Sequence, residues 1–232
     1  MEFNNRHIVV TGGTGALGSA VVDTLLKAGA TCTVPYVHEA EAQRFAHRND
    51  ARIKLIAVTD LADEAVVAKV YNGIVPWASI HLAGGFASGA ARDTSKPALM
   101  AQLDSNLVSC FLCCRAAVNT MLAGNTGGRI VNVAARPALE WRSGAGMIAY
   151  TVAKAGVAAL TVALAEEVAK DGILVNAVAP STMNTPANRA AMPNADHDAW
   201  PNVEEVAATI LFLASPDNRV TRGAIVPVYG KT

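Results

Sequence analysis

The chain has 232 residues, 52% hydrophobic and 16% charged, with Lys+Arg and Asp+Glu both at 19 and a formal charge of zero. That balance gives no long-range field toward nucleic acid or an anionic membrane, and leaves a small molecule as the expected ligand. Asp, Lys, Arg or Gly interrupts the apolar runs before the ~18 to 20 residues that span a bilayer, and "MEFNNRHIVV" enters a strand pattern too early for a signal peptide, so a cytoplasmic protein without a membrane span is expected.

Short β-branched runs alternate with longer helical segments along the whole chain. "HIVVTG" feeds the helix "ALGSAVVDTLLKAG", "TCTVPYV" precedes "EAEAQRFAHR", "IKLIAV" precedes "DEAVVAKVYN", and "ASIHLAGG" precedes "ALMAQLDSNLVSCFLCCRAAVNTMLAG". "GRIVNVAA" leads to "IAYTVAKAGVAALTVALAEEVAKDG", "GILVNAVAP" to "NVEEVAATILFLAS", and "GAIVPVYG" closes the series. The alternation predicts one α/β domain over 1–232, a doubly wound, seven-stranded, mostly parallel sheet with helices on both faces. Residues 181–202, "STMNTPANRAAMPNADHDAWPN", lack a periodic pattern and follow a strand's C-terminal end, the place for a lid over a ligand.

Between the first strand and first helix, "TGGTGALG" has the context of a Rossmann nucleotide-binding turn. Gly12 permits the tight turn, Gly15 and Ala16 let a pyrophosphate approach the backbone, and Gly18 allows close helix packing. The helix then offers free amides and a positive dipole end. A tight turn that binds nothing is the alternative. About 20 residues on, where such folds place a ribose-binding carboxylate, stands Tyr36, with His38 and Arg44 as the nearest positive candidates, which leans toward NADP over NAD. After the third strand, Asp60-Leu61 sits where a side chain can hydrogen-bond an adenine amine. Capping of the next helix by Asp60 or by its neighbour Asp63 is the other role available there.

Cys110, Cys113 and Cys114 lie in an apolar helical run with no acidic or His partner nearby in sequence, and with Cys32 they read as buried reduced thiols; no metal site is expected. Further on, Tyr150 and Lys154 are four apart, one turn of helix, so that an ammonium can lower a phenol's pKa. An exposed helix pair would have the same spacing.

Taken together these residues resemble the short-chain dehydrogenase/reductase family, from Arg6 to Gly230. The family's T-G-x-x-x-[GA]-x-G is matched by Thr11-Gly12-Gly13-Thr14-Gly15-Ala16-Leu17-Gly18. Its N-N-A-G is matched by His81-Leu82-Ala83-Gly84, followed by Gly85, which keeps the Ala-Gly and loses the asparagines. Asn106 in "LDSNLVS" matches the helix asparagine, Tyr150 to Lys154 match Y-x-x-x-K, and "VNAVAPSTMNTP" is similar to N-x-x-x-P-G-x-x-x-T, with Pro180 and Thr185 kept and Ser181 in place of Gly. The resemblance implies hydride transfer between a nicotinamide, NADP or NAD, and a carbonyl-like carbon. Tyr150 would act as acid/base, Lys154 would bind the nicotinamide ribose and lower the phenol's pKa, and Asn106 would hold a water linking Lys154 to solvent. Thr185 and the backbone near Met183 would hold the carboxamide, and the turn residues including Thr14 and Leu17 would face the phosphates.

One element of the family pattern is missing. Its serine falls at Ala135, within "RIVNVAARP", and the segment from there to Tyr150 is about two residues longer. Losing one such donor costs about 10²- to 10³-fold in rate. Three readings follow: Ser143 swings in from the lengthened loop, the substrate is a conjugated C=N or quinonoid system that needs no donor, or the cofactor is bound without turnover by a sensor or structural subunit. "AARPALEWRSGAGMIAYTVAKAGV", "HLAGGFASGA" and "PSTMNTPANRAAMPNADHDAW" resemble quinonoid dihydropteridine reductase, a branch that also lacks the serine; Asn106 and Tyr36 depart from it. Extra apolar faces in "LVSCFLCC" and "AGVAALTVALA" imply a homo-oligomer, a dimer or a homotetramer.

Overall fold

The computed structural model describes every residue from Met1 to Thr232. Its seven strands are β1 (His7–Thr11), β2 (Thr31–Tyr36), β3 (Ile53–Ala57), β4 (Ala78–His81), β5 (Gly128–Val133), β6 (Ile173–Pro180) and β7 (Ile225–Val228). They form a single sheet in the order β3-β2-β1-β4-β5-β6-β7, and every pairing is parallel. The chain runs outward from β1 to β3 and returns to place β4 beside β1, with Val10 opposite Ile80 and Thr11 opposite His81. This reversal opens a crevice at the C-terminal ends of β1 and β4, where such sheets bind ligands.

Strand periodicity divides the core. Ile8 and Val10 point to one face, with Val34, Ile80, Val131 and Val178, while Val9 points to the other with Ile130, Val175 and Ala179. Helices α1 (Ala16–Lys27) and, near the C-terminus, Val203–Ala214 cover the first face. Short α2 (Glu39–Arg44) follows β2, and α3 (Glu64–Tyr71) lies on the second face, where Val67, Val70 and Tyr71 join the core with Val9. Asp63 caps α3 through Ala65 N at 2.7 Å and Val66 N at 3.3 Å, which leaves Asp60 to close its own turn on Ala62 N.

After β4 comes a rod made of α4 (Lys96–Leu103), a π-helical turn over Asp104–Val108, and α5 (Ser109–Gly124), ended by Asn125 in the left-handed region. Short α6 (Arg136–Leu139) follows β5, α7 (Ile148–Glu167) precedes β6, α8 (Pro186–Ala191) follows it, and Val203–Ala214 is α9. The rod Lys96–Gly124 and α7 are both long and apolar enough to cross a membrane, which corrects the expectation that charges and glycines cut every run short: an unbroken helix carries the apolar composition past Asp104 and Arg115. Both helices lie on the sheet, α5 burying Cys110, Cys113, Ala117 and Met121 and α7 burying Ala153, Val157, Thr161 and Ala165.

The segment 181–202 has more order than its sequence pattern gives. Thr185 caps α8, with Pro186 in the first turn, and Asn184 N donates to Pro201 O at 2.9 Å, so the two ends of the loop are pinned together. Trp200 is buried at its base with the His197 ring 4.6 Å away.

Candidate active site

At the crevice the glycine turn is closed by close backbone packing on one side and open on the other. Gly12 has φ +66°, and a Cβ there would lie 2.7 Å from Ala83 N; a Cβ on Gly18 would collide with the Gly12 carbonyl. At Gly15 the same test finds nothing closer than 3.4 Å, and Ala16 is exposed. The first bond closing α1 is Ser19 N to Gly15 O, so the amides of Ala16, Leu17 and Gly18 precede the helical ladder, and no acidic residue lies in the first turn. The Leu17 side chain itself is buried in the first core. A pyrophosphate fits this cradle sterically and electrostatically.

The adenosine side differs from the sequence-based expectation. Tyr36 donates its hydroxyl to Glu39 at 3.0 Å, and Thr14 donates to Glu41 at 3.1 Å. Two carboxylates from α2 thus stand beside the turn, although none occupies the end of β2. They escape a reading that counts along the strand, because α2 folds back over the turn. His38 is exposed at the start of α2. Asp60 is exposed and the Leu61 side chain is buried, so only the Leu61 backbone is available to a ligand.

Beyond Ala83, whose amide donates to Thr11 Oγ1, the chain turns at Gly84 between two polar groups of the site. A Cβ on Gly84 would lie 2.5 Å from Asn106 Oδ1 and 3.6 Å from Lys154 Nζ. Asn106 occupies the π-turn, is buried, and uses Nδ2 to donate to Gly85 O at 2.9 Å and Gln102 O at 3.1 Å. Its Oδ1 has no partner. A buried unpaired acceptor is costly, so it marks a place for a donor.

Lys154 Nζ donates to Val133 O at 2.8 Å and lies 5.8 Å from the centre of the Tyr150 ring. Burial lowers the ammonium to about 8 and raises the Tyr150 phenol to about 12. The phenol lowered by its lysine, expected from helix spacing, is therefore not the arrangement of the free chain: the turn brings the two onto one face, but the sheet carbonyl holds the ammonium and desolvation sets both groups. Phe86, exposed in the loop after β4, packs its ring edge to face on Tyr150 at 5.1 Å and 82°. Nothing in the sequence singled out Phe86, since its loop meets the start of α7 through tertiary contacts such as the Gly89 to Met147 bridge.

Ala134 and Ala135 are both buried, Ala134 N pairing with Val178 O. Ser143 does not fill the vacancy of a donor: it lies in an exposed turn and donates its hydroxyl to Glu140 O at 2.8 Å. Across the crevice, Pro180 ends β6 in the core, Met183 O accepts from the Asn188 amide at 2.8 Å, and Thr185 Oγ1 accepts from Asn188 N while keeping its own proton to donate.

All four cysteines are buried free thiols, as expected. The expectation that no His neighbours them needs correction, because β4 carries His81 to within 3.4 Å of Cys114 Sγ. Hydrogen bonds from Cys114 and His81 hold the Cys110 thiol below its usual range.

Sequence comparison matches the short chain dehydrogenase family over residues 6–196. The chain is 36% identical over 244 residues to galactitol 2-dehydrogenase of Rhizobium johnstonii, covering 98% of this chain and 95% of that one. It is 30% identical over 246 residues to the BbsD subunit of (2S)-[(R)-hydroxy(phenyl)methyl]succinyl-CoA dehydrogenase of Thauera aromatica, covering 99% and 97%. Among solved structures, gox2181 superposes with a TM-score of 0.91 at 28% identity, covering 99% of this chain and 96% of that one. ElxO with NADP bound gives 0.86 at 25%, covering 97% of each.

Proposed function

The chain belongs to the short-chain dehydrogenase/reductase family of NAD(P)-dependent oxidoreductases, and on that footing we propose that it acts on a small, flat, conjugated substrate with a C=N or quinonoid group, using Tyr150 as acid/base. The observation that carries this reading is the acceptor side of the crevice: the Phe86 ring stands on Tyr150, while Ala135 is buried where a hydroxyl would hold a substrate oxygen. Apolar and aromatic walls favour a planar ring, and a readily reduced conjugated system withstands the loss of an oxyanion donor. The likeness of the 134–157 and 180–200 segments to quinonoid dihydropteridine reductase supports the same class.

The nicotinamide cofactor, when bound, supplies or takes up the hydride. The turn Gly12 to Gly18 would hold its pyrophosphate, Thr185 and the Met183 backbone its carboxamide, and Lys154 its ribose. Tyr150 gives a proton to, or takes one from, the substrate heteroatom at its hydroxyl. Because burial raises the phenol, it stays protonated and serves as the acid until positive charge arrives nearby; Lys154 leaving Val133 O would bring such charge. Asn106 Oδ1 would hold a water that returns a proton to Lys154.

On the adenosine side, Glu39 and Glu41 offer acceptors to ribose hydroxyls and repel a 2'-phosphate. This supports NAD(H) in preference to NADP(H), the reverse of the lean from His38 and Arg44. The exposed apolar residues of α5 and α7 support assembly with further copies of the chain.

Stopped-flow oxidation of NADH and NADPH, with quinonoid dihydropterin and with a panel of simple ketones, tests the whole reading. Fast turnover of NADH with the dihydropterin, at least about 10²-fold above the ketones, is expected. Tyr150→Phe should abolish it with cofactor affinity within a few-fold. Ketones reduced as fast as the dihydropterin would refute the substrate class, and NADPH used in preference would refute the role of the two glutamates.

A further inference from the structure

We propose that His81, Cys110 and Cys114 form a buried site for one Zn²⁺ ion, which ties α5 to the end of β4 beneath the Lys154 pocket. The inference is independent of the substrate reading. Cys110 and Cys114 are one helical turn apart and share the face of α5 that packs on the sheet, where β4 presents His81. The imidazole nitrogen and the two sulfurs all lie within 4.8 Å of one another, and Cys114 Sγ is 3.4 Å from His81 Nδ1. Tetrahedral zinc, with Zn–S near 2.3 Å and Zn–N near 2.0–2.1 Å, places sulfurs about 3.8 Å apart and sulfur and nitrogen about 3.5 Å apart. Small side-chain adjustments close the remaining gap.

The donor set is selective. Two thiolates and an imidazole suit a thiophilic ion and not Mg²⁺ or Ca²⁺, which need oxygen ligands. Two thiolates also balance the ion's charge, so a fully buried complex carries none in excess. Binding converts two thiols and Zn²⁺ into a neutral site and two released protons. The fourth position faces Asn132 Oδ1, which is 3.4 Å from Cys114 Sγ and 2.8 Å from His81 Nδ1 and is fixed by the Asn132 amide donating to Thr161 at 2.9 Å.

An outer shell is already in place. His81 Nε2 lies 2.8 Å from Ser79 Oγ, which is 2.7 Å from the Tyr71 hydroxyl. Without metal, Nδ1–H donates to Asn132; with zinc on Nδ1, the ring proton sits on Nε2 and is donated to Ser79, so the ring keeps its orientation in both forms.

The site is closed to solvent, so the ion enters as the chain folds. Protein expressed with added zinc under reducing conditions should therefore carry about one zinc per chain by mass spectrometry. X-ray absorption should show two sulfur neighbours, and refolding with Co²⁺ should give a thiolate-to-cobalt charge-transfer band. Cys110→Ser and Cys114→Ser should each cut zinc at least tenfold, while Cys113→Ser, one position off the face, should retain it. Zinc well below stoichiometry in wild-type protein refolded with equimolar metal, stoichiometric copper in its place, or full zinc in the Cys110→Ser, Cys114→Ser double variant would each overturn the proposal. The wild-type cobalt spectrum decides the matter if the double variant fails to fold.

Discussion

At Ala135 the backbone is extended, with φ −161° and ψ 162°, and the residue caps α6 without a side-chain hydrogen bond. A serine fits that backbone, so Ala135→Ser should raise kcat/KM for simple ketones by about 10² through the restored donor. It should also stabilise α6 by about 0.5–1 kcal/mol as a helix cap. Ser143→Ala should leave turnover unchanged, because that hydroxyl is already donated to Glu140 O. Parallel ketone and dihydropterin assays on the two variants check both outcomes, and a large loss in Ser143→Ala would put the donor back on Ser143. Lys154 makes a separate prediction. Its amine, lowered from 10.5 to about 8 by burial, stays neutral in the folded chain between those values while the unfolded chain takes up a proton. Stability is then full above pH 10.5 and falls through the window to pH 8, a loss of about 3 kcal/mol that persists at lower pH. Denaturant titrations across pH should show this slope in the wild type and its absence in Lys154→Met. Tyr150 has the opposite sign: its phenol, raised to about 12, contributes stability below pH 10 that is lost on raising the pH toward 12.

Between single residues and the fold stand two local devices, the glycine turns and the π-turn. Gly12 and Gly18 were legible because a left-handed or sterically closed position allows few residues, and the motif surrounding them fixes the strand-to-helix context. The π-turn over Asp104–Val108 was not legible, since "DSNLV" satisfies an α-helical pattern equally well. It widens the helix so that Asn106 reaches Gly85 O, and so leaves Oδ1 facing Gly84 beside Lys154. Gly84→Ala would drive a methyl into Asn106 Oδ1. We expect a loss of about 1–3 kcal/mol in stability and at least a tenfold loss in NADH affinity, measured by denaturation and calorimetry. Unchanged affinity would separate Asn106 from the cofactor site. The irregular stretch after β6 was legible from its lack of a period, while α8 inside it was hidden because six residues are too few to show one.

The whole molecule leaves apolar side chains exposed on the outer faces of α5 and α7, with Phe111 46%, Val152 50% and Val162 46% accessible. A second copy would remove such apolar area from water, and the residues lie on the two helices that continue Asn106's rod and carry Tyr150. The wild type should sediment as a dimer or tetramer, and the Phe111→Asp, Val152→Asp double variant as a folded monomer by circular dichroism. A monomeric wild type would remove the oligomer reading.

Periodicity, turn chemistry and five ordered motifs determined the doubly wound sheet, the glycine turn and the Tyr150 and Lys154 pair, because the elements and turns behind them are encoded by residues close together in the chain. What only the tertiary structure decided lies across crossovers: Glu39 and Glu41 beside the glycine turn, Phe86 on Tyr150, Lys154 held by Val133, and His81 against Cys110 and Cys114. Each of these pairs residues from different elements, and their approach depends on how β4, α5 and α7 pack. The parallel sheet sets those distances through its register, which no local pattern contains.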